Sequence, residues 1–155
     1  MANKFDLVLD RVFDAPRELV WQAWTDVDQL KEWWGPARFT NPVCRVDVRP
    51  GGTIYIEMRG PDGTVYPMSG TFHEVVEPEQ IVFRSAALGA DGRAMFEIMT
   101  TVTFADLDGK TALHLEAKIL NETAVAPQYL VGMEQGWNQS LDRLGELVTK
   151  GKVTL

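Results

Sequence analysis

Cysteine is nearly absent: Cys44 is the only one, so no disulfide can form within the chain. It alternates with Val46 and Val48 in a strand-like run, the setting of a buried, inert thiol rather than a nucleophile. Histidine is almost as scarce. His73 and His114 stand alone, no H-x-x-x-H or comparable spacing occurs, and no metal site is expected. Positive charge is in deficit, with 15 Lys and Arg against 22 Asp and Glu and a net charge of −7. That balance disfavours nucleic acid and anionic membrane surfaces, which both attract clustered cations. No stretch approaches the roughly 20 consecutive apolar residues of a membrane-spanning helix. The N-terminal MANKFDLVLD lacks a basic flank leading into an apolar run, so no signal peptide is expected. Nucleophile elbow and phosphate loop are missing too. Pro50-Gly51-Gly52 has no Lys or Ser partner and sits in a hairpin, and Ser69, His73 and Glu74 lie too close along one strand to form a triad. The expectation is a cytoplasmic chain without a cofactor.

What is present suffices for a core. Hydrophobic residues make up 45% and charged residues 24% of 155 residues, ordinary values for a globular protein. No repeat, linker or low-complexity segment divides the chain, so residues 1–155 read as one domain with its core over about 5–150. Phe5 to Phe13 alternates as a strand does. Asp14-Ala15-Pro16 ends it and opens a helix, with Pro16 near the first helical position, where its missing N–H costs nothing. Leu19, Val20, Ala23 and Trp24 recur at helical spacing towards Asp26. Asp26 or Asp28 caps a second short helix carrying Leu30, Trp33 and Trp34, stopped by Gly35-Pro36.

From Val43 the period changes to two. Cys44, Val46 and Val48 answer Ile54, Ile56 and Met58 across Pro50-Gly51-Gly52, which reads as a hairpin. Further strands follow over about 64–76, 80–85, 94–104 and 111–118. They are separated by Pro61-Asp62-Gly63, Pro78-Glu79, a loop over 88–92, and Asp106 to Gly109. Connections this short leave no room for crossover helices, so these strands must be antiparallel. From about Pro127 to Lys150, Leu130, Met133, Trp137, Leu141, Leu144 and Val148 form one apolar stripe. The helix they define is about 36 Å long at 1.5 Å per residue. The result is an α+β fold whose sheet must bury its apolar face on this last helix.

Several runs carry a resemblance. Arg11-Val12-Phe13-Asp14-Ala15-Pro16, Val20-Trp21, Trp24-Thr25-Asp26, Leu30 and Trp33-Trp34-Gly35-Pro36 resemble the START-like (SRPBCC) superfamily. Asp47-Val48-Arg49-Pro50-Gly51-Gly52, Gly70-Thr71-Phe72-His73-Glu74-Val75 with Pro78 and Val82-Phe83, and Gly136-Trp137 with Leu141 and Leu144 narrow it. They are similar to the branch related to the activator of the 90-kDa heat-shock chaperone's ATPase. The resemblance implies a helix-grip (START-like, Bet v 1-like) fold. Its parts are a seven-stranded curved antiparallel sheet, two short helices after the first strand, and a cavity under the long helix. It also implies alternative functions: binding of a small hydrophobic or amphipathic ligand, contact with a chaperone, or cyclase- or hydratase-type catalysis in the cavity. The partner domain of the eukaryotic activators is missing from this sequence.

Binding of a small hydrophobic molecule is the preferred expectation, with no catalytic residue assigned. Large apolar side chains supply the candidate lining: Trp33, Trp34, Phe39, Ile56, Met58, Met68, Phe83, Met133, Trp137 and Leu141. Trp21 and Trp24 read as core, whereas Trp33 and Trp34 are adjacent and cannot both face one way on a helix. Met58, Met68, Met95, Met99 and Met133 offer a deformable wall. Tyr55, Tyr66, Arg84, Glu97, Thr101, Gln135 and Asn138 are the polar groups weighed for the cavity, and each reads more naturally as an outward residue. His114, alternating with Leu113 and Leu115, reads as outward as well.

Overall fold

The computed structural model describes residues 7–88, 94–120 and 127–149, with side chains from 97 and from 133 onward in the last two segments. The strand start at Phe5, most of the 88–92 loop and the side chains of Met95 and Leu130 lie outside the described residues. Ten elements run in the expected order: β1 (Leu7–Phe13), α1 (Arg17–Thr25), α2 (Val27–Trp33), β2 (Thr40–Val46), β3 (Thr53–Arg59), β4 (Val65–Val76), β5 (Gln80–Leu88), β6 (Ala94–Leu107), β7 (Lys110–Ile119) and α3 (Pro127–Thr149).

The strands form one seven-stranded sheet in the order β1-β7-β6-β5-β4-β3-β2. Every pairing is antiparallel, and β1 closes onto β7 with Leu9 opposite Leu115. Tight turns make this possible. In the β2–β3 hairpin Gly51 takes φ 83, and a Cβ on Gly52 would fall 1.9 Å from the Asp47 carbonyl oxygen, so only glycine fits.

Local chemistry explains the helices. Pro16 is the N-cap of α1, and its carbonyl accepts the Leu19 and Val20 N–H groups at 2.9 and 3.2 Å. The buried face of α1 is Val20, Trp21, Ala23 and Trp24; Leu19, expected on that stripe, is exposed. Asp26 separates the two helices, and its Oδ1 accepts the Asp28 N–H at 2.9 Å, the capping bond of α2. Trp34 is the C-cap, and Gly35 turns the chain with φ 94.

The core occupies the concave side of the sheet. Phe104, Leu113 and Leu115 from β6 and β7 pack with Trp21 and Trp24 of α1 and with Leu141, Leu144 and Val148 of α3. Trp21 and Trp24 each meet Phe104 edge-on, with ring centroids 5.4 and 6.0 Å apart. The C-terminal half of α3 is therefore a core element. Met133, Gly136 and Trp137 before it face something different.

Candidate functional site

Beneath Met133, Gly136, Trp137 and Ser140 of α3 the sheet does not reach the helix, and a cavity of about 310 Å³ remains. Side-chain size on the sheet creates it. The register places Gly70 beside Ser85 and Met68 beside Ala87 on β4 and β5, and Ser85 beside Ile98 on β6. A Cβ on Gly70 would sit 2.3 Å from the Arg84 carbonyl oxygen, so that position has to stay empty. Small residues thus stand at the middle of the concave face, where Phe104 and Leu115 fill the space one helix turn further along. The remaining wall comes from Trp34, Gly35 and Pro36 after α2, and from Met58, Phe83, Ala86, Thr100 and Ile119.

A clamp holds the wall made by residues 34–36. Arg143 of α3 donates from one nitrogen to the carbonyls of Trp34, Gly35 and Pro36 at 3.1–3.2 Å, and from another to Glu32 at 2.8 Å. Partial burial pushes the guanidinium pKa down, with Glu32 and Glu146 acting against it. The Gly35 N–H donates to Ser140 Oγ at 3.0 Å and the Ala37 N–H to Gln139 Oε1 at 2.9 Å. Asn41 completes the fastening, its amide donating to the carbonyls of Lys31 and Trp34 at 2.9 Å.

Six of the ten expected lining residues come together here: Trp34, Met58, Met68, Phe83, Met133 and Trp137. The other four lie elsewhere. Trp33 is fully buried behind Trp34, its indole N–H donating to the Ala23 carbonyl at 2.9 Å. Ile56 and Leu141 are wholly enclosed in the core. Phe39 packs on Tyr66 and on Gly60, outside the cavity lining. Both tryptophans are buried, but only Trp34, the extended residue just past the end of α2, also lines the cavity. Trp34 and Trp137 meet edge-on at 5.3 Å, and Trp137 stacks on Trp24 at 5.9 Å and 17°.

None of the polar candidates lines the cavity. Arg84 pairs with Glu97 at 2.6 Å, the Tyr55 hydroxyl donates to Glu57, and Asn138 accepts from Arg11. Tyr66 and Gln135 are exposed and Thr101 is half-buried. The polar lining consists of Ser85, Thr100 and Ser140, which a reading weighted towards aromatics and methionines passes over. The signal for Ser85 and Thr100 is their phase: each alternates in step with Phe83 or Ile98, the apolar side of its strand.

No Asp, Glu, His, Lys or Arg lines the cavity among the described residues. His114 lies on β7 opposite Asp10 of β1, its Nδ1 2.6 Å from Asp10 and Nε2 2.8 Å from Glu116. Those two carboxylates raise its pKa. His73 is exposed, and no cluster of metal-ligating side chains occurs among the described residues. Cys44 is half-buried and burial pushes its thiol pKa up, so the thiolate is suppressed. No helix of the described residues is long and apolar enough to cross a membrane.

A curved antiparallel sheet gripping a long helix over an apolar cavity is the START-like, helix-grip architecture. The sequence profile of the family described as activator of Hsp90 ATPase homolog 1-like protein matches residues 14–149, and the chain belongs to that family. Solved structures agree. A protein from Nitrosomonas europaea is similar at 29% identity over 98% of this chain and 99% of its own, with a TM-score of 0.83. One from Chromobacterium violaceum shares 29% identity over 92% of this chain and 95% of its own, with a TM-score of 0.77. The AHSA1 protein of Silicibacter pomeroyi has the same fold at 24% identity over 94% and 98%, with a TM-score of 0.81. No curated protein matches the sequence.

Proposed function

We propose that this protein binds a small hydrophobic or amphipathic molecule in the cavity between the sheet and α3. One observation carries the reading: a cavity of about 310 Å³ whose lining, among the described residues, is apolar apart from three hydroxyl-bearing side chains. Volumes from about 300 Å³ upward, mostly apolar with a few placed polar groups, are typical of small-molecule sites. Among the described residues the lining carries no group that titrates near neutral pH, which supports binding over acid–base catalysis. The soluble character expected of the sequence fits a cytoplasmic carrier or sensor of such a molecule.

Gly136 provides the test. It lies inside a helix, where glycine costs about 1 kcal/mol against alanine, and it faces the cavity. Native mass spectrometry of the protein purified without denaturation is expected to show a carried-over small molecule. The variant Gly136→Leu, which places a side chain in the cavity, is expected to arrive bare. If both arrive bare and neither takes up a solvatochromic dye such as Nile red, ligand binding is refuted. Co-purification of the cell's own chaperone with the bare protein would favour the activity for which the family is named.

A further inference from the structure

The polar groups around the cavity are mostly unspent donors. Ser140 is 4% exposed, and its Oγ already accepts the Gly35 N–H at 3.0 Å. One lone pair is occupied and the hydroxyl orientation restricted, which leaves its O–H to donate. Among the described residues that proton has no protein acceptor, and neither do the indole N–H groups of Trp34 and Trp137. All three residues line the cavity, and an indole nitrogen can donate but never accept. Ser85 and Thr100 sit on the same face of neighbouring strands, Ser85 opposite Ile98 and Thr100 opposite Phe83, and add hydroxyls that work either way. A ligand that satisfies this set must bring acceptors.

Charge is disfavoured on separate grounds. A carboxylate or ammonium entering this cavity sheds part of its hydration and meets no counter-ion among the described lining residues. Size follows from the volume: about 310 Å³ corresponds to about ten water volumes of roughly 30 Å³ each, room for about a dozen non-hydrogen atoms.

We propose that the ligand is an uncharged, compact, mainly apolar molecule with a carbonyl-type oxygen that accepts from Ser140 at the α3 side of the cavity. This rests on the ligand-binding reading above and specifies what that reading leaves open.

Three compounds with the same number of non-hydrogen atoms separate the two ideas: 2-acetylnaphthalene, 2-isopropylnaphthalene and 2-naphthoate. In equilibrium dialysis at neutral pH the ketone is expected to bind at least about fivefold more tightly than the hydrocarbon, the worth of about one net hydrogen bond. The carboxylate is expected to bind more than about tenfold more weakly than the ketone, having to desolvate a charge. Ser140→Ala should bring the ketone-to-hydrocarbon ratio close to one. Ser140→Cys, which keeps the bulk and offers only a weak donor, should lower the same ratio if the alanine variant does not fold. Hydrocarbon and ketone binding equally, carboxylate binding best, or an unchanged ratio in both Ser140 variants would each overturn this inference while leaving ligand binding intact. Binding of none of the three compounds by a protein that still takes up Nile red would overturn this inference alone, and failure of the dye as well would overturn the ligand-binding reading with it.

Discussion

Removing the Arg143 guanidinium should loosen the wall of the cavity and destabilise the whole fold. The carbonyls it serves, Glu32, Trp34, Gly35 and Pro36, belong to the end of α2 and the turn beyond it. These are acceptors that the helix leaves unpaired, at the negative end of its dipole. A charge-assisted hydrogen bond contributes about 1.5–3 kcal/mol. Four contacts shared between two nitrogens behave as about two such bonds, and partial access to water reduces them further. A loss of about 2–3 kcal/mol is therefore expected for Arg143→Met, which keeps the packing of the stem. For a chain of this length that lowers Tm by about 5–10 °C. Urea denaturation followed by far-UV circular dichroism and by tryptophan fluorescence measures it. The fluorescence readout should show a second effect, because Trp34 lies in the released segment. Arg143→Lys should recover part of the loss, since an ammonium keeps the charge but cannot fork across the turn. A loss below about 1 kcal/mol in Arg143→Met would refute the reasoning, showing that water serves those carbonyls equally well.

Three further outcomes follow from individual contacts. The Asp10 and Glu116 carboxylates raise the pKa of His114 in the folded state, so the folded protein binds the proton more tightly than the unfolded chain. The resulting stability is full below the unfolded pKa near 6.5 and is lost as pH rises through the raised folded value. Denaturant titrations from acid to alkaline pH should show that slope in the native sequence and not in His114→Gln; equal slopes would count against it. Trp33→Phe should cost more than Trp24→Phe by at least about 1 kcal/mol in urea midpoints, because it strands the Ala23 carbonyl, whereas Trp24 Nε1 is buried with no partner. Equal losses would show that volume alone matters. Gly136→Ala should raise Tm, since its Cβ would meet only Pro36 Cγ at 3.7 Å and the helix gains about 0.5–1 kcal/mol; a lower Tm would mean that the backbone there needs glycine.

The order of elements was legible because each rests on local chemistry. Asp26 bonds the Asp28 N–H whatever the chain does elsewhere, and Gly51-Gly52 can close only a tight turn. The alternation in β7 and the stripe on α3 report solvent on one side and protein on the other, so their periods survive folding. Strand ends were less legible. β5 and β6 run on to Leu88 and Leu107, beyond the expected ends at Ser85 and Phe104, because pairing with each other and with β7 extends them.

The lining of the site divides along the same boundary. Size and apolar character identified Trp34, Met58, Met68, Phe83, Met133 and Trp137, but equally Trp33, Ile56 and Leu141, which packing consigns to the core. Hydrophobicity records that a side chain leaves water, not whether it then meets protein or a void. That depends on what stands opposite, and the decisive partners are Ser85 and Ala87, unremarkable in sequence and set beside Gly70 and Met68 only by strand register. Arg143 is likewise one basic residue among many until α3 lies over the end of α2. The sequence by itself determined the order of strands and helices and the supply of large apolar side chains, because period, caps and turns act over a few residues, and the family resemblance of its motifs added the helix-grip fold. The tertiary structure alone decided that a cavity remains and that Ser140, Trp34 and Trp137 hold donors around it that are spare among the described residues, because empty space and unpaired groups are properties of surfaces brought together.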